Sequence, residues 1–503
     1  MKHALMLIPE SHSSTQSSFG IEHFFYWYAL WNGLESAGAS VVAIPLLVDP
    51  DNHLVDTAIL ASIPTALQHQ SFDAIFAPAT PSVEGLISTL SCTHRIAVTD
   101  ALRAQPISVT SDVFSHHLDL NGRAEISSAY HLFTHPCIPD ELISLRRVHV
   151  GDFSASISTG AESSGHDHSF GIRLAHICSH LAEQAVDLSL DALQMLARDL
   201  RTTRLDWIKH RMFDSSPTCV AGSSVSSFAV RFIALLQGHP VVDPADAILS
   251  AEQATSIWLR ARNEALFKHT STIRGWDIIR WLDDGAIQHK EYSNQYIPNP
   301  DESLFYGSFF DKGCELNTDE QSRLGEIQKC YAILINRVRS TVKTLDVGCG
   351  RGWLTEFASH FGEATGIEPI PEVINHARTL FPNNRYLVST PELALRMGQA
   401  GTYDVCLCSE VIEHVPNQHK RDFMRQLRAL LKPQGYVVLT TPRGERYDEW
   451  MSKYGGNSQP VEDWISEDDM HTLAEQCGFV ALYRGRAGYI SDIYQVWLFG
   501  LAG

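Results

Sequence analysis

Between Ser409 and Val415 the chain reads Ser-Glu-Val-Ile-Glu-His-Val, so Glu410, Glu413 and His414 fall within one short stretch. Two carboxylates and an imidazole this close can take a proton from a reacting hydroxyl or amine. They can equally supply oxygen and nitrogen ligands to a divalent ion. Upstream, Leu345-Asp346-Val347-Gly348-Cys349-Gly350-Arg351-Gly352 suits a different task. Glycines let a backbone turn sharply and approach a ligand closely, and the start of a following helix offers N–H groups to a carboxylate. Glu368 comes 22 positions after Asp346, where an acid can accept both hydroxyls of a ribose. The third glycine follows the second by two residues instead of three, so the dinucleotide-binding spacing is not met.

Strand-like and helix-like runs alternate around these residues. Strands are expected at Val342–Val347, Ala364–Glu368, Arg385–Ser389, Tyr403–Ser409 and Tyr436–Thr440. Helices are expected from Gly352 to Phe361 and over Pro371–Leu380 and Gln418–Leu431. The ending changes to helix Glu467–Cys477, strand Val480–Arg484 and, after a short connection, strand Tyr494–Phe499. Such βα alternation implies a parallel, doubly wound α/β sheet of seven strands, and the short final connection implies an antiparallel last strand at its edge. Ligands in such sheets sit beyond the carboxyl ends of the strands, where the glycine turn, Glu368 and Ser409–His414 all fall.

The glycine loop after the first strand, the acid after the second and Tyr403-Asp404-Val405 at the fourth together resemble the class I S-adenosylmethionine-dependent methyltransferases, over residues 305–503. The resemblance implies a Rossmann-like domain in which Asp346, Gly348, Cys349 and Gly350 meet the methionine part of the cofactor. It further implies that Glu368 binds the ribose and that Ser389 and Thr390, opening the stretch to Glu392, flank the adenine. Ser409 would border the cofactor at the end of strand four. The Glu410–His414 segment is similar to that of ubiquinone-pathway O-methyltransferases and of small-RNA 2′-O-methyltransferases. In the latter, both Glu and the His are metal ligands joined by a later histidine, a place where this chain reads Gln459-Pro460-Val461-Glu462-Asp463-Trp464. A metal site on Glu410, Glu413 and His414, a metal-free catalytic role for His414 or Glu410, and a structural histidine are the three readings. Trp353 could cover the cofactor or pack in a core. Arg443, Arg446 and Tyr447 could grip an anionic or sugar acceptor or be solvated loop residues.

The first 290 residues show strand-like runs at Ala4–Ile8, Ser40–Ile44, Ala74–Ala77 and Arg95–Val98, again α/β, with a second lobe from about Leu145. The opening strand, Ser18–His23 and the helix to Ala37 resemble the acceptor lobe of GT-B glycosyltransferases. Ser226–Val242 and Ala261–Thr270 resemble parts of that family's donor lobe and closing helices, although Ala234 stands where a Glu is expected. His23 and Arg231 are the positions this resemblance singles out. The expected division is therefore a lobe over 1–144, another over 145–289, a linker over 290–304 and the methyltransferase-like domain over 305–503. Ser154–His168 reads as a Ser/Gly-rich loop.

Composition narrows the role. Lys plus Arg number 39 against 58 Asp plus Glu, a net charge of −19, which disfavours nucleic acid as a partner. Residues 341–503 hold 15 Lys/Arg and 20 Asp/Glu, so no basic track is hidden there. Ten cysteines without a CxxC pair read as reduced thiols in a cytoplasmic protein. No run approaches the ~18 apolar residues of a membrane span. With the resemblances, the expectation is O-methylation of a sugar or glycoconjugate hydroxyl, with the front region selecting the acceptor. A small-molecule O- or N-methyltransferase of secondary metabolism, and a glycan-binding protein whose methyltransferase fold senses the cofactor, are the alternatives.

Overall fold

A computed structural model describes residues 2–10, 27–47, 63, 67, 69–78, 80–99, 113–119, 131–133, 157–158, 189–213, 219–221, 241–242, 251–284, 296–338, 341–454, 459–488 and 492–502. The chain divides into two compact units, one of residues 1–144 and 150–293, the other of 294–503 with the stretch 145–149.

In the first unit, β1 (His3–Glu10), α1 (Ala29–Ser36), β2 (Ser40–Leu47), β3 (Ser71–Pro78), α2 (Pro81–Thr89), β4 (Ser91–Thr99), β5 (His116–Asp119) and β6 (His131–Phe133) follow in order. The six strands pair in the order β2-β1-β3-β4-β5-β6, all parallel. The four expected strands are present and each extends further than its apolar run. Three short parallel strands, β7 (Ile157–Ser158), β8 (Cys219–Ala221) and β9 (Val241–Val242), form a second sheet. Helices α3 (Leu190–Phe213), α4 (Ala251–Lys268) and α5 (Ser271–Asp284) complete the described part. Helices α1 and α5 cross at Gly33 and Gly275, where a Cβ on Gly33 would stand 2.1 Å from the Ser271 carbonyl oxygen. His23, Arg231 and Ala234 lie outside the described residues, as does Ser154–His168 apart from β7.

The second unit runs α6 (Pro300–Phe309), α7 (Thr318–Ile335), β10 (Val342–Val347), α8 (Trp353–Ser359), β11 (Gly362–Glu368), α9 (Pro371–Leu380), β12 (Arg385–Val388), α10 (Pro391–Arg396), β13 (Tyr403–Ser409), α11 (Lys420–Leu430), β14 (Leu431–Pro442), α12 (Tyr447–Tyr454), α13 (Glu467–Gln476), β15 (Phe479–Ala487) and β16 (Tyr494–Leu501). Its sheet has seven strands in the order β12-β11-β10-β13-β14-β16-β15, with β16 antiparallel to both neighbours. The antiparallel strand is therefore the last in sequence but not the edge. The tight return after β15 pairs β16 with β15, and the other side of β16 then covers β14, which leaves β15 outermost.

Alternation along the strands buries both faces. Val405 and Leu407 of β13 pack with Ile327, Tyr331 and Leu334 of α7, and Cys406 and Cys408 pack with Met424 and Leu427 of α11 and Met470 of α13. The two cysteines are small core side chains. Trp353 joins the α7 side of this core, the packing alternative of its two readings.

Of the helices in this unit that the sequence reading does not place, α6 and α7 carry a local signal. Pro298 and Pro300 look like linker punctuation, yet they bracket Asn299, which caps α6. The Asn299 side chain accepts from the Glu302 amide at 2.9 Å, and the Glu302 carboxylate accepts from the Asn299 amide at 2.8 Å. Asn317 and Glu320 form the same reciprocal box at the start of α7. Among the described residues, no helix is long and apolar enough to cross a membrane.

Candidate active site

The glycine loop leaves β10 with Gly348, Gly350 and Gly352 at φ 66°, 50° and 88°. A side chain is strained in each of these conformations, and each glycine is also crowded. A Cβ would stand 2.4 Å from Val411 at Gly348, 3.0 Å from the Phe310 ring at Gly350 and 2.5 Å from the Tyr386 hydroxyl at Gly352. The amides of Gly348 and Cys349 donate to the Ile367 carbonyl, which ties the loop to the end of β11. Asp346 accepts from the Thr355 hydroxyl at 2.6 Å, so its carboxylate braces the loop against α8. Cys349 is buried, and burial pushes its thiol well up. Arg351 reaches back to α7, donating to Glu320 at 2.8 Å and to the Glu315 carbonyl at 3.1 Å.

Glu368 ends β11 next to this loop. Its carboxylate accepts from the Ile370 amide at 3.3 Å, and its backbone carbonyl accepts from Ser389 at 3.1 Å. Ser389 donates its hydroxyl to the Thr390 carbonyl, and Thr390 accepts from the Leu393 amide as the cap of α10. The side chains expected beside an adenine are thus engaged in shaping the turn after β12.

The Ser409–His414 segment separates three residues that the sequence grouped. Ser409 shares a 2.7 Å hydrogen bond with Thr440. Glu410 has φ 59°, a left-handed conformation that costs a non-glycine residue about 1–3 kcal/mol. Its carboxylate accounts for the conformation, because it accepts from Thr440 at 2.9 Å and pairs with Arg323 of α7 at 3.1 Å. The Arg323 guanidinium lies 4.7 Å over the Tyr494 ring. Glu413 is 2% exposed and accepts from the Thr441 hydroxyl at 2.8 Å.

His414 follows on a single 3-10 turn, Ile412–His414. Its Nδ1 lies 2.9 Å from the Val461 carbonyl oxygen. A carbonyl only accepts, so Nδ1 carries the proton and Nε2 keeps its lone pair. That Nε2 stands 3.9 Å from a Glu413 carboxylate oxygen, and the Tyr306 ring of α6 meets the imidazole edge-on at 6.0 Å. The geometry suits a proton acceptor whose cationic form has a carboxylate beside it.

A metal on Glu410, Glu413 and His414 is not what these side chains are arranged to hold. One carboxylate is committed to Arg323 and Thr440 and the other to Thr441. Among the described residues no three His, Cys, Asp or Glu side chains come together as ligands. Glu410 is tied on one side to Arg323 and on the other to Thr440. Arg443 is pinned between Glu467 at 3.4 Å and the Asp492 carbonyl at 3.2 Å, and Arg446 pairs with Glu449. Tyr447 packs edge-on against Trp464.

Arg323, Tyr306 and Lys420 are neighbours of the site that the sequence reading did not single out. The signal for two of them was present: Asn-x-x-Glu at 299–302 and again at 317–320 marks the helices that carry Tyr306 and Arg323.

Burial dominates the electrostatics. It raises Asp346, Glu368 and Glu413 to about 7, and Glu410 to about 8 despite the opposing Arg323 charge. Unfolded carboxyls ionise near ~4, so between there and about 7 the unfolded chain releases protons that the folded site retains. Stability from these groups is therefore present at low pH and lost as pH rises through their folded values. Glu467, held low by its arginine partners, has the opposite sign, but only below the usual carboxylate range. The unfolding temperature of the second unit, followed by calorimetry from pH 5.5 to 8.5, should fall across that window. A rise would contradict the burial of these acids.

The family match falls on this unit. Residues 321–483 match the family model described as a methyltransferase domain. Ubiquinone biosynthesis O-methyltransferase of Vibrio campbellii is 38% identical over 104 residues, covering 20% of this chain and 43% of that protein. The enzyme of the same name from Bordetella bronchiseptica is 35% identical over 123 residues, covering 24% and 48%. The chain thus spans less than half the length of these curated relatives. Among solved structures, magnesium protoporphyrin IX methyltransferase of Synechocystis, with bound S-adenosylhomocysteine, is 14% identical with a TM-score of 0.32, over 42% of this chain and 97% of that one. A methyltransferase of Methanosarcina mazei is 19% identical with a TM-score of 0.28, over 34% and 98%. By its family match, with the glycine loop and seven-stranded sheet that accompany it, the second unit carries a methyltransferase domain.

Proposed function

We propose that the second unit binds S-adenosylmethionine and methylates a hydroxyl, with His414 Nε2 taking the hydroxyl proton. The observation that carries this reading is the His414 tautomer, with Nδ1 bonded to the Val461 carbonyl and Nε2 left as an acceptor next to Glu413. The residues present fit the cofactor. Glycines at 348, 350 and 352 leave the backbone bare at three positions of the loop, and Glu368 offers a buried carboxylate stabilised by the Gly350 amide. In this reading the loop from Gly348 to Gly350 receives the methionine part, braced by Asp346. Glu368 accepts the ribose hydroxyls, and the turn at Ser389 and Thr390 borders the adenine with backbone.

When bound, S-adenosylmethionine supplies an activated methyl group, whose carbon–sulfur bond breaks as the new oxygen–carbon bond forms, the electron pair leaving with sulfur. His414 then needs only to hold the acceptor hydroxyl by its proton and accept that proton as the oxygen attacks. Glu413 stabilises the resulting imidazolium. The Tyr306 ring of α6 covers one side of the imidazole.

For the acceptor we propose a saccharide or glycoconjugate hydroxyl, selected by a glycosyltransferase-like first unit. The resemblance of the Ser18–His23 stretch and the elements around it to an acceptor lobe is what supports this assignment, and the six-stranded parallel sheet is the architecture such a lobe needs. A second reading, a small-molecule acceptor of secondary metabolism, probed here with phenols, is favoured by the 38% identity over 104 residues to a ubiquinone biosynthesis O-methyltransferase. Incubation with methyl-labelled S-adenosylmethionine and two panels, one of saccharides and glycolipid precursors and one of phenols, separates them. Label on a sugar carries the first reading and label on a phenol the second. Label on neither, with S-adenosylhomocysteine bound, removes both acceptors.

A further inference from the structure

We infer that Lys420 is a positioning residue for His414, its ammonium clamping the two ends of the turn that presents the imidazole. Lys420 opens α11 and is 2% exposed. A buried lysine at a helix start needs a reason, because desolvation penalises its charge and a cation is unfavourable at that end of the helix. The reason lies in its two hydrogen bonds. Nζ donates to the Ile412 carbonyl at 2.7 Å and to the Val415 carbonyl at 2.6 Å.

Those carbonyls flank the 3-10 turn Ile412–His414, whose own closure consists of the His414 amide on the Val411 carbonyl and the Val415 amide on the Ile412 carbonyl. Such short turns hold poorly by themselves. Lys420 joins the first residue of the turn to the residue after it, fixing where the His414 Cα stands. From the other side the Asp463 amide donates to the Glu413 carbonyl at 2.7 Å, and the Val461 carbonyl receives His414 Nδ1. The turn is thus gripped between one ammonium and one segment, Val461–Asp463. Asp463, Glu413 and Glu462 face the ammonium and favour its charge, against burial, which lowers its pKa to about 8.

A clamp of this kind acts on the tautomer. His414 donates to the Val461 carbonyl, 2.9 Å away, only while the turn holds the imidazole within hydrogen-bond reach of it, and losing one such bond is worth about tenfold in an equilibrium. The role of Lys420 in catalysis rests on the proposed use of His414 as base, but the clamp itself can be read without cofactor or acceptor.

The test is the imidazole nitrogen spectrum of 15N-histidine-labelled protein, with the His414 signals assigned by their loss in His414→Gln. Wild type should show the Nδ1–H tautomer. Lys420→Met, which keeps the stem and removes the donors, should shift the ratio toward Nε2–H by about tenfold. Lys420→Arg, which retains a donating cation, should restore the wild-type pattern. Lys420→Gln guards against a Met variant that does not fold, and should give an intermediate ratio. An unchanged Nδ1–H pattern in the folded Met or Gln variant overturns the inference. Calorimetry of S-adenosylhomocysteine on wild type is run alongside. Absence of binding there, with the tautomer shift present, would sink the cofactor reading and leave the clamp standing.

Discussion

Replacing Glu368 by Ala should weaken S-adenosylhomocysteine binding by about 10²–10³-fold, measured by titration calorimetry at pH 8. A carboxylate that accepts two hydroxyls makes two charge-assisted bonds of about 1.5–3 kcal/mol each, and each 1.4 kcal/mol is about tenfold in affinity. Part of that energy is already committed, because the carboxylate also accepts from the Ile370 amide and is stabilised by that of Gly350. The lower end of the additive range is therefore expected. Glu368→Gln, which retains one acceptor oxygen, should fall between. The raised pKa of Glu368 adds a signature that a general packing defect would not have. Burial holds it near about 7, and only the ionised form can accept both hydroxyls. Affinity should then drop several-fold per pH unit as the solution is taken below 7, and the dependence should flatten in Glu368→Gln. Equal affinity in wild type and Glu368→Ala would remove the ribose assignment.

The place of Glu368 at the end of β11, beside the glycine loop, was legible from sequence because strand, turn and acid are local: an apolar run, then glycines, then an acid at the end of the next strand. The same locality gave Pro371–Leu380 and Tyr403–Ser409 as they stand in the structure. What sequence spacing could not give is how the Glu410–His414 group divides. Glu410 and Glu413 look equivalent along the chain, both acids at the end of β13. Arg323 and Thr440 claim the first and Thr441 the second, partners that lie far off along the chain. Spacing along one segment suggests a ligand cluster; pairing across the sheet dissolves it. Lys420 was hidden for a related reason, since a lysine beginning an amphipathic helix reads as solvated until its carbonyl partners are known. The edge of the sheet was misplaced because a short connection fixes that two strands are antiparallel neighbours, but not which of them meets the older sheet.

This division of labour makes His414 the residue on which turnover should depend most. His414→Ala is expected to lower kcat for methyl transfer by about 10²–10⁴-fold, the usual contribution of a positioned base. Affinity for S-adenosylhomocysteine should stay within about twofold, because the groups assigned to the cofactor lie on the glycine loop and β11. Rapid-quench measurement of label transfer, beside calorimetry on the same preparation, separates the two effects. Glu413 supplies the internal check. It stands 3.9 Å from Nε2, and burial pushes its carboxyl up to about 7. Above that value its charge offsets the imidazolium formed as the proton moves, and below it the support is gone. Glu413→Gln should therefore cost activity chiefly above pH 7 and little below, converging on wild type in acid. A His414→Ala variant that keeps its kcat would move the methyl acceptor into the class of amines that react once held neutral, for which no base is required.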